Sequence, residues 1–269
     1  MPFAGESSDT VGNGGSAKAN RSLLLSNRQN FAWDFETAAS RLIFGFDALD
    51  PRSRSFNMIR AQLMEFKADH GWRLIGVVSA TPKVGKSLIA ANIAAALSRE
   101  PSLDTFAIDL DLRRASLSRM FGIEPEVSLL SYLAERPGAD TPSTYLLDNE
   151  RLTVVPTKAQ AIRSAELVAG QRTHALLQEV RDRGPDSMAI VDLPPVFAND
   201  DAITVMSKLD AYIMVVEEGK TRHRELEGAI DLRVEQDDAD HAAIFLERVE
   251  HRVGSIERIV DQRPNPAVR

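Results

Sequence analysis

Apolar residues recur in short runs along most of the chain, from about residue 52 to about residue 250. Six of these runs are continuous or nearly so, which is typical of strands that are buried on both faces of a parallel sheet. They read RLIGVVSA, TFAIDLD, LTVVPT, SMAIVDLPP, AYIMVVEEG and AAIFLERV. Each run is therefore predicted to be a buried strand.

Helical patterns occupy the intervals between these runs. In RSFNMIRAQLMEFKADHG the apolar residues at 56, 59, 63 and 66 form one stripe, which ends at Gly71. KSLIAANIAAALSRE predicts a second helix, with alanines at packing positions, and further helices are predicted over 127–135, 165–183 and 221–235. Strands alternating with helices predict βαβ units. The expected fold is α/β, with a mostly parallel central sheet between helices in a three-layer αβα arrangement.

The two ends of the chain lack these patterns. Residues 1 to about 30 are rich in Gly, Ser, Asn and Asp and are predicted to be mobile, as is the polar tail 261–269. The segment FAWDFETAASRLIFGF, residues 31–46, has two Phe and one Trp within five residues. It fits either packing back on the domain or docking on another protein. The expected division is an N-terminal segment 1–50, a main domain 51–260 and the tail.

Composition narrows the classes of function. A net charge of -7 argues against a dedicated nucleic-acid binder, which usually has a basic surplus. The chain has no cysteine, which excludes disulfides, thiol nucleophiles and Cys-bound metals and favours a reducing cytoplasm. No apolar run approaches the roughly 18–20 residues that span a bilayer, so any membrane role would depend on a partner.

The first candidate chemistry lies between the RLIGVVSA strand and the KSLIAANIAAALSRE helix. ATPKVGKS, residues 80–87, fits the pattern of a phosphate-binding loop with alanine in the first glycine position. Backbone N–H groups and the helix N-terminus would face an anion there. In this pattern Lys86 reaches the β- and γ-phosphates, and the Ser87 hydroxyl ligates Mg²⁺. The nucleotide-binding residues expected from the loop are Ala80, Thr81, Pro82, Lys83, Val84, Gly85, Lys86, Ser87 and Leu88.

Acidic residues end two further strands. In FAIDLDLRR, Asp109 and Asp111 lie two apart at the end of a buried strand and are followed by Arg113 and Arg114. In AIVDLPPV, Asp192 ends another apolar strand, and an aspartate in such a place typically holds Mg²⁺ through its water shell. Because ligands gather at the carboxyl ends of strands in open α/β sheets, these acids are expected beside the phosphate-binding loop.

The order of these motifs resembles that of the bacterial tyrosine kinase family and of related exopolysaccharide and capsule chain-length regulators. These belong to the wider group of P-loop NTPases that includes septum-positioning and plasmid-partition ATPases. The similarity extends over about residues 52 to 250 and includes SFNMIRAQLMEF, LTVVPT with the following RSAELV, and NDDAITVMSKLDAYIMVVEEGKTR. The partition proteins carry a signature lysine where this chain has Thr81, followed by Pro82, and here the loop is more similar to that of the kinases.

The resemblance implies ATP and Mg²⁺ as ligands. Asp109 and Asp111 would lie beside the γ-phosphate, one of them orienting or deprotonating the nucleophile, and their spacing leaves open which one. Asp192 would act at the metal. The catalytic residues implied in this way are Lys86, Asp109, Asp111 and Arg113, and the metal ligands are Ser87, Asp109 and Asp192.

The loop and the first long helix depart from the family's pattern. Lys83 and Val84 replace the usual Gly-Glu, and a β-branched valine would resist any positive φ that the loop needs. The helix of the family carries Glu-x-x-Arg-x-x-Arg, which helps to make oligomers. Here the matching positions are Arg54, Asn57 and Arg60, so ring assembly by that route is not expected.

Two further departures concern the tyrosines that accept phosphate and the recognition of the adenine base. The family's kinases end in a tyrosine-rich tail, but this chain has only Tyr132, Tyr145 and Tyr212, so tail autophosphorylation is not expected. Tyr212 also falls in a predicted buried strand. Glu247 occupies the position where the last strand commonly has an asparagine that reads adenine, and a carboxylate lacks the donor of the amide.

The resemblance favours a cytoplasmic ATP-dependent phosphotransferase or ATPase that serves exopolysaccharide synthesis or export. It would dock on a membrane partner of the polysaccharide co-polymerase type, which would recruit it to the inner face of the membrane. A catalytically weak adaptor, in which bound ATP fixes a conformation or a dimer, is a second hypothesis. A partition-type positioning ATPase is a third, which the missing signature lysine disfavours.

Overall fold

The computed structural model describes residues 22–147, 151–160, 164–198, 201–217 and 242–248. The strands of this part are β1 (Arg28–Phe31), β2 (Leu74–Ser79), β3 (Asp104–Asp109), β4 (Thr144–Leu147), β5 (Leu152–Val155), β6 (Ser187–Asp192), β7 (Ala211–Glu217) and β8 (Ala242–Arg248). The helices are α1 (Phe35–Ser40), α2 (Arg54–His70), α3 (Lys86–Ser98), α4 (Ser116–Phe121), α5 (Leu129–Leu133), α6 (Ser164–Ala169), α7 (Gln171–Asp182) and α8 (Asp201–Met206).

The strands form one sheet in the order β1-β4-β5-β3-β6-β2-β7-β8. Neighbouring strands from β5 to β8 are parallel, β4 is antiparallel to β5, and β1 is parallel to β4. The α/β class, the mostly parallel sheet and the six apolar strands predicted from the sequence are confirmed. Asp109 is paired in register with Asp192, so the carboxyl ends of β3 and β6 lie side by side.

Apolar side chains of the strands alternate between two cores, one on each face of the sheet. In β2, Ile75 and Val77 belong to the core that contains α2 and α3, whereas Leu74 and Val78 belong to the core that contains α5 and α7. The fold therefore has the three layers expected. α3 is enclosed almost completely, since every residue from Ile89 to Ser98 is buried.

The helices predicted within the described residues are present, with changed boundaries. In α2, Phe56, Ile59 and Leu63 are buried, and the helix ends at Gly71 in the left-handed conformation with φ 70°. The helix predicted over 165–183 is two helices, α6 and α7, because Gly170 adopts an extended conformation between them. The helix predicted over 221–235 and the tail 261–269 lie outside the described residues.

The N-terminal segment joins the fold earlier than the sequence pattern predicts. Residues 28–31 form β1 on the edge of the sheet, and Leu24 is fully buried in the core beside α7. The Glu179 carboxylate of α7 accepts hydrogen bonds from Ser22 Oγ and from the backbone N–H of Leu24. The structured part of the chain thus begins upstream of the boundary predicted at residue 51, whereas residues 1–21 are not described.

The aromatic segment 31–46 packs on the domain. Trp33 and Phe46 are buried, and the Trp33 ring centroid lies 5.7 Å from that of Phe121 in α4. The segment is also fixed by Asn92 of α3, whose Oδ1 accepts from the backbone N–H groups of Phe44 (2.7 Å) and Gly45 (3.1 Å). Within the described ranges, no helix has the length and apolar content needed to cross a bilayer.

Candidate active site

The phosphate-binding loop, residues 80–87, connects the end of β2 to the start of α3. Gly85 has φ 87°, and Lys83 has φ 69°, a left-handed conformation that costs a residue with a side chain about 1–2 kcal/mol. The sequence suggested that Val84 would resist a positive φ in the loop. Val84 is buried, and it is Lys83 that has the positive φ. The exposed Lys83 therefore takes the strain at the position where related loops have glycine.

Lys86 brings the three predicted strand ends together. Its side chain is 7% exposed, and its Nζ forms an ion pair with Oδ1 of the fully buried Asp192. Nζ also lies 3.8 Å from Asp111 Oδ2 and 3.4 Å from Ser87 Oγ. The loop after β2 and the ends of β3 and β6 thus meet at one cluster of charges.

Asp109 has a different role in this geometry from Asp111. Its Oδ2 accepts hydrogen bonds from Ser118 N (2.9 Å) and Ser118 Oγ (2.8 Å), and its Oδ1 accepts from Asp111 N (3.2 Å). Complete burial, together with the nearby charge of Asp192, raises the pKa of Asp109 to about 7. Ser118, in the first turn of α4, therefore holds the carboxyl group of Asp109, and no sequence motif indicates this role.

Two carboxylate oxygens beside Lys86 are available for a metal. Among the described residues, Asp111 Oδ1 and Asp192 Oδ2 are buried without a hydrogen-bond partner. Burial raises the pKa of Asp192, whereas the Lys86 ammonium and a hydrogen bond with Ser87 lower it. The same range of residues contains no cluster of three or more His, Cys, Asp or Glu that could hold a metal alone. Mg²⁺ needs no such cluster, because it usually combines one or two carboxylates with substrate phosphates and water.

The remaining predicted residues surround this cluster. Arg113 lies on the loop after β3 with an exposed side chain, and its Nε donates to Ser164 Oγ (3.1 Å). Ser79 Oγ donates to the backbone oxygen of Thr81 (2.8 Å), which fixes the start of the phosphate-binding loop. Leu88 is partly buried in the first turn of α3.

The stability of the fold is expected to depend on pH through Asp109. Its pKa is raised from 3.8 to about 7, so the folded state binds a proton that the unfolded state releases between about pH 4 and pH 7. The contribution of this carboxyl group to stability is therefore present at low pH and is lost as pH rises through about 7. Asp109→Asn should flatten the free energy of unfolding, measured with urea, between pH 5 and pH 8.

Asp34→Asn is the matched control for this experiment. Asp34 is an exposed N-cap of α1 whose hydrogen bonds with Thr37 lower its pKa, so it remains ionised throughout that pH range. Its replacement should leave the slope between pH 5 and pH 8 unchanged. An Asp109→Asn variant with the same slope as the unaltered chain would contradict the prediction.

Comparison with known proteins identifies the family. Residues 72–221 match the family model described as "ParA: NUBPL iron-transfer P-loop NTPase". The chain belongs to the ParA family of P-loop NTPases. The ParA-family domain matched covers β2 to β7 and therefore includes Lys86, Asp109, Asp111 and Asp192.

Curated relatives of this ParA-family chain are named as tyrosine-protein kinases and as a biosynthesis transport protein. It is 27% identical to "Tyrosine-protein kinase YwqD" of Bacillus subtilis over 169 residues, which cover 63% of this chain and 70% of that protein. It is 31% identical to "Succinoglycan biosynthesis transport protein ExoP" of Rhizobium meliloti over 156 residues, or 56% of this chain and 19% of ExoP. The match to "Tyrosine-protein kinase ptk" of Acinetobacter johnsonii likewise spans only 20% of that protein.

Solved structures agree on the fold. The kinase domain of the Escherichia coli tyrosine kinase ETK superposes with a TM-score of 0.64 at 22% identity, covering 77% of this chain and 79% of that domain. The chimerical protein CapA2B2 superposes with a TM-score of 0.63 at 26% identity, covering 72% of this chain and 83% of that one. The resemblance to bacterial tyrosine kinases inferred from the sequence motifs is confirmed.

The departures from the kinase pattern have structural counterparts in this ParA-family chain. Tyr132, Tyr145 and Tyr212 are all buried, which confirms the burial expected for Tyr212. At the positions of the oligomerisation motif, Arg60 pairs with Glu100 at 2.9 Å within the same chain. The side chain of Glu247, at the position linked to adenine, is outside the described residues.

Proposed function

We propose that this ParA-family chain is an ATP-dependent phosphotransferase of the bacterial tyrosine kinase type. The observation that carries the proposal is the Lys86 ammonium, held next to Asp111 and Asp192 where the phosphate-binding loop meets two strand ends. Lys86 is the cation that would bind the β- and γ-phosphates of ATP, together with the backbone N–H groups of the loop. The name of the relative YwqD, a tyrosine-protein kinase, supports the same function.

Ser87, Asp192 and Asp109 are the proposed residues of the metal site. Bound Mg²⁺ would neutralise charge on the phosphates. Ser87 and Asp192 supply oxygens that suit Mg²⁺, and Asp192 Oδ2 has no hydrogen-bond partner in the described part of the chain. Asp109 fits a supporting position better than direct ligation, because both of its carboxylate oxygens already accept hydrogen bonds.

Asp111 is the stronger candidate for the group that orients or deprotonates the nucleophile. Its Oδ1 is buried and has no hydrogen-bond partner among the described residues, so it can accept a proton or a hydroxyl hydrogen bond. Asp109 is fully buried, and both of its carboxylate oxygens already accept hydrogen bonds, from Ser118 and from the backbone N–H of Asp111. We therefore propose Asp111, rather than Asp109, for this role.

The acceptor is proposed to lie on another molecule. All three tyrosines are buried in the folded chain, so none is open to a phosphoryl donor. The printed name of ExoP supports a role in exopolysaccharide synthesis or transport. A membrane protein of the polysaccharide co-polymerase type is the proposed partner, which would hold this chain at the inner face of the membrane as an oligomer or a nucleotide-dependent dimer.

A nucleotide-dependent adaptor is the second candidate function. Lys83 replaces a glycine of related loops and has a positive φ, so the loop is strained where it would wrap around the phosphates. Strain of this kind fits a loop that binds nucleotide without fast turnover.

The first experiment measures ATP binding and Mg²⁺-dependent turnover with and without a membrane partner of the stated type. Lys86→Ala should lower turnover by at least about 10²-fold, because it removes the cation that stabilises charge on the transferred phosphate. Asp111→Asn should lower turnover while largely retaining binding. Lys67→Ala, which removes a lysine from the last turn of α2, is the matched control and should change neither quantity.

The outcomes separate the two candidate functions. Binding of ATP with turnover no faster than in Lys86→Ala would favour the adaptor and reject the enzyme. Phosphotyrosine on the partner would identify a kinase, and phosphate release without it would identify an ATPase.

A further inference from the structure

A buried serine–aspartate pair joins α6 to α8 beside the loop that follows β3. Ser164 and Asp201 are both almost completely inaccessible to solvent, and Ser164 Oγ donates a hydrogen bond to Asp201 Oδ2. Arg113 Nε donates to the same Ser164 Oγ at 3.1 Å. A carboxylate, a hydroxyl and a guanidinium therefore follow one another from the interior to the surface.

The direction of these hydrogen bonds is fixed by the chemistry of the hydroxyl group. A serine hydroxyl has one proton, and Ser164 gives it to Asp201, so a lone pair of Oγ faces Arg113 Nε. A buried carboxylate is costly unless it is hydrogen-bonded, and the Ser164 hydroxyl supplies one hydrogen bond to Asp201. Arg113 is thus held through Nε alone.

The Nη groups of Arg113 remain for another ligand. Within the described residues, neither Nη group makes a hydrogen bond or an ion pair, and the side chain is exposed. A guanidinium in this situation presents two parallel N–H groups that match the oxygens of a phosphate.

Backbone contacts link the segments before Asp201 and Ser164 to the phosphate-binding loop and to the loop after β3, respectively. Phe197, four residues before Asp201, donates its backbone N–H to Ala80 O (3.4 Å). On the other side, the backbone N–H of Gln160, four residues before Ser164, donates to Leu112 O (3.0 Å). Asp111, two residues before Arg113, lies 3.8 Å from Lys86 Nζ. Arg113 is therefore two residues along the chain from a carboxylate of the site that contains Lys86.

We propose that Ser164 and Asp201 are positioning residues, which hold Arg113 so that its Nη groups bind the terminal phosphate of a nucleoside triphosphate. The proposal rests on the proposed function and adds a means of telling ATP from ADP. Lys86 and the backbone of the phosphate-binding loop would serve both nucleotides, whereas Arg113 would act only on the third phosphate. Affinity for ATP over ADP would then depend on two buried residues that touch neither nucleotide.

The test compares the affinities of ADP and of a non-hydrolysable ATP analogue, measured by calorimetry with Mg²⁺. Arg113→Ala should lower the affinity for the analogue by about tenfold or more, because one charge-assisted pair of hydrogen bonds is lost. The affinity for ADP should change by no more than about twofold. Ser164→Ala and Asp201→Asn should reproduce most of that selective loss. In the Arg113→Ala background, Ser164→Ala should have no further effect on the ratio of the two affinities.

Each alternative outcome overturns the proposal in a recognisable way. Two results would show that the Ser164–Asp201 pair only connects α6 to α8. One is that Ser164→Ala lowers the affinities for both nucleotides equally, and the other is that Ser164→Ala keeps its full effect in the Arg113→Ala background. Should the buried variants fail to fold, the exposed Arg113→Ala still decides, since an unchanged ratio rejects the proposal. An unaltered chain that binds neither nucleotide would overturn the proposed function as well.

Discussion

Replacing Lys86 with methionine is expected to lower the free energy of unfolding by about 3–5 kcal/mol at neutral pH, which is the usual cost of breaking a buried ion pair on one side. Methionine keeps an apolar stem of similar length but removes the ammonium that pairs with Asp192. Asp192 and Asp111 would then be buried side by side without a cation. Urea unfolding followed by circular dichroism would measure the loss.

Two comparisons identify the cause of this destabilisation. In Lys86→Met, the folded-state pKa of Asp192 should rise further, since the ammonium that lowers it is gone. The loss should therefore be smallest at acid pH, where Asp192 is protonated, and should grow as pH rises through the folded-state pKa. The double variant Lys86→Met/Asp192→Asn should recover part of the stability, and no recovery would mean that packing, not charge, explains the loss.

Asn92→Ala is expected to lower the free energy of unfolding by about 3 kcal/mol or more, although Asn92 has no role in the proposed chemistry. The substitution leaves the backbone N–H groups of Phe44 and Gly45 buried without an acceptor. The oxygens of Leu42 and Leu88 also lose the Nδ2 donor, which lies 2.9 Å from each. Each unsatisfied buried group costs about 1–3 kcal/mol.

Asn57→Ala is the matched control for Asn92→Ala. Asn57 is a partly exposed asparagine of α2 whose Nδ2 makes longer bonds of 3.3 Å, to Ala48 O and Ser53 Oγ, and whose Oδ1 accepts a hydrogen bond from Arg99 Nη2. Its loss should cost less than that of Asn92, because its side chain is partly exposed and water can replace its partners. Gly45→Ala tests the same contact from the other side, because a Cβ at Gly45 would overlap Asn92 O of α3. If Asn92→Ala costs no more than Asn57→Ala, the segment 42–45 is not held by this contact.

The apolar pattern predicted the six consecutive parallel strands of the sheet, β5-β3-β6-β2-β7-β8, but missed β1 and β4 at the other edge. These six strands are mostly continuous apolar runs, and such runs strongly indicate buried strands of a parallel sheet. β1 reads RQNF and alternates between exposed and partly buried residues, as suits an edge, so its composition resembles that of a loop. β4 is only four residues long, Thr144–Leu147, and gives too short a pattern to be recognised alone.

The charged centre of the site could be predicted, but its supporting residues could not. Lys86, Asp111 and Asp192 follow from motifs at the ends of parallel strands, which the sheet brings together. Ser118 and the Ser164–Asp201 pair act through hydrogen bonds between residues that are 9 and 37 positions apart. Nothing in the local sequence separates Ser118 from other serines. Ser164 and Asp201 lie in the RSAELV and NDDAIT segments that resemble the kinase family, but the resemblance gave neither residue a role.

The near-complete enclosure of α3 has a mechanical consequence for the nucleotide cycle. Its alanines let the sheet, α2 and α4 approach closely, and a close-packed helix cannot slide or rotate without opening cavities. The N-terminus of this helix therefore holds Lys86 in a fixed position. Movements that accompany loss of the third phosphate should be confined to the loops after β3 and β6, so hydrogen exchange should change there while α3 remains protected in both nucleotide states.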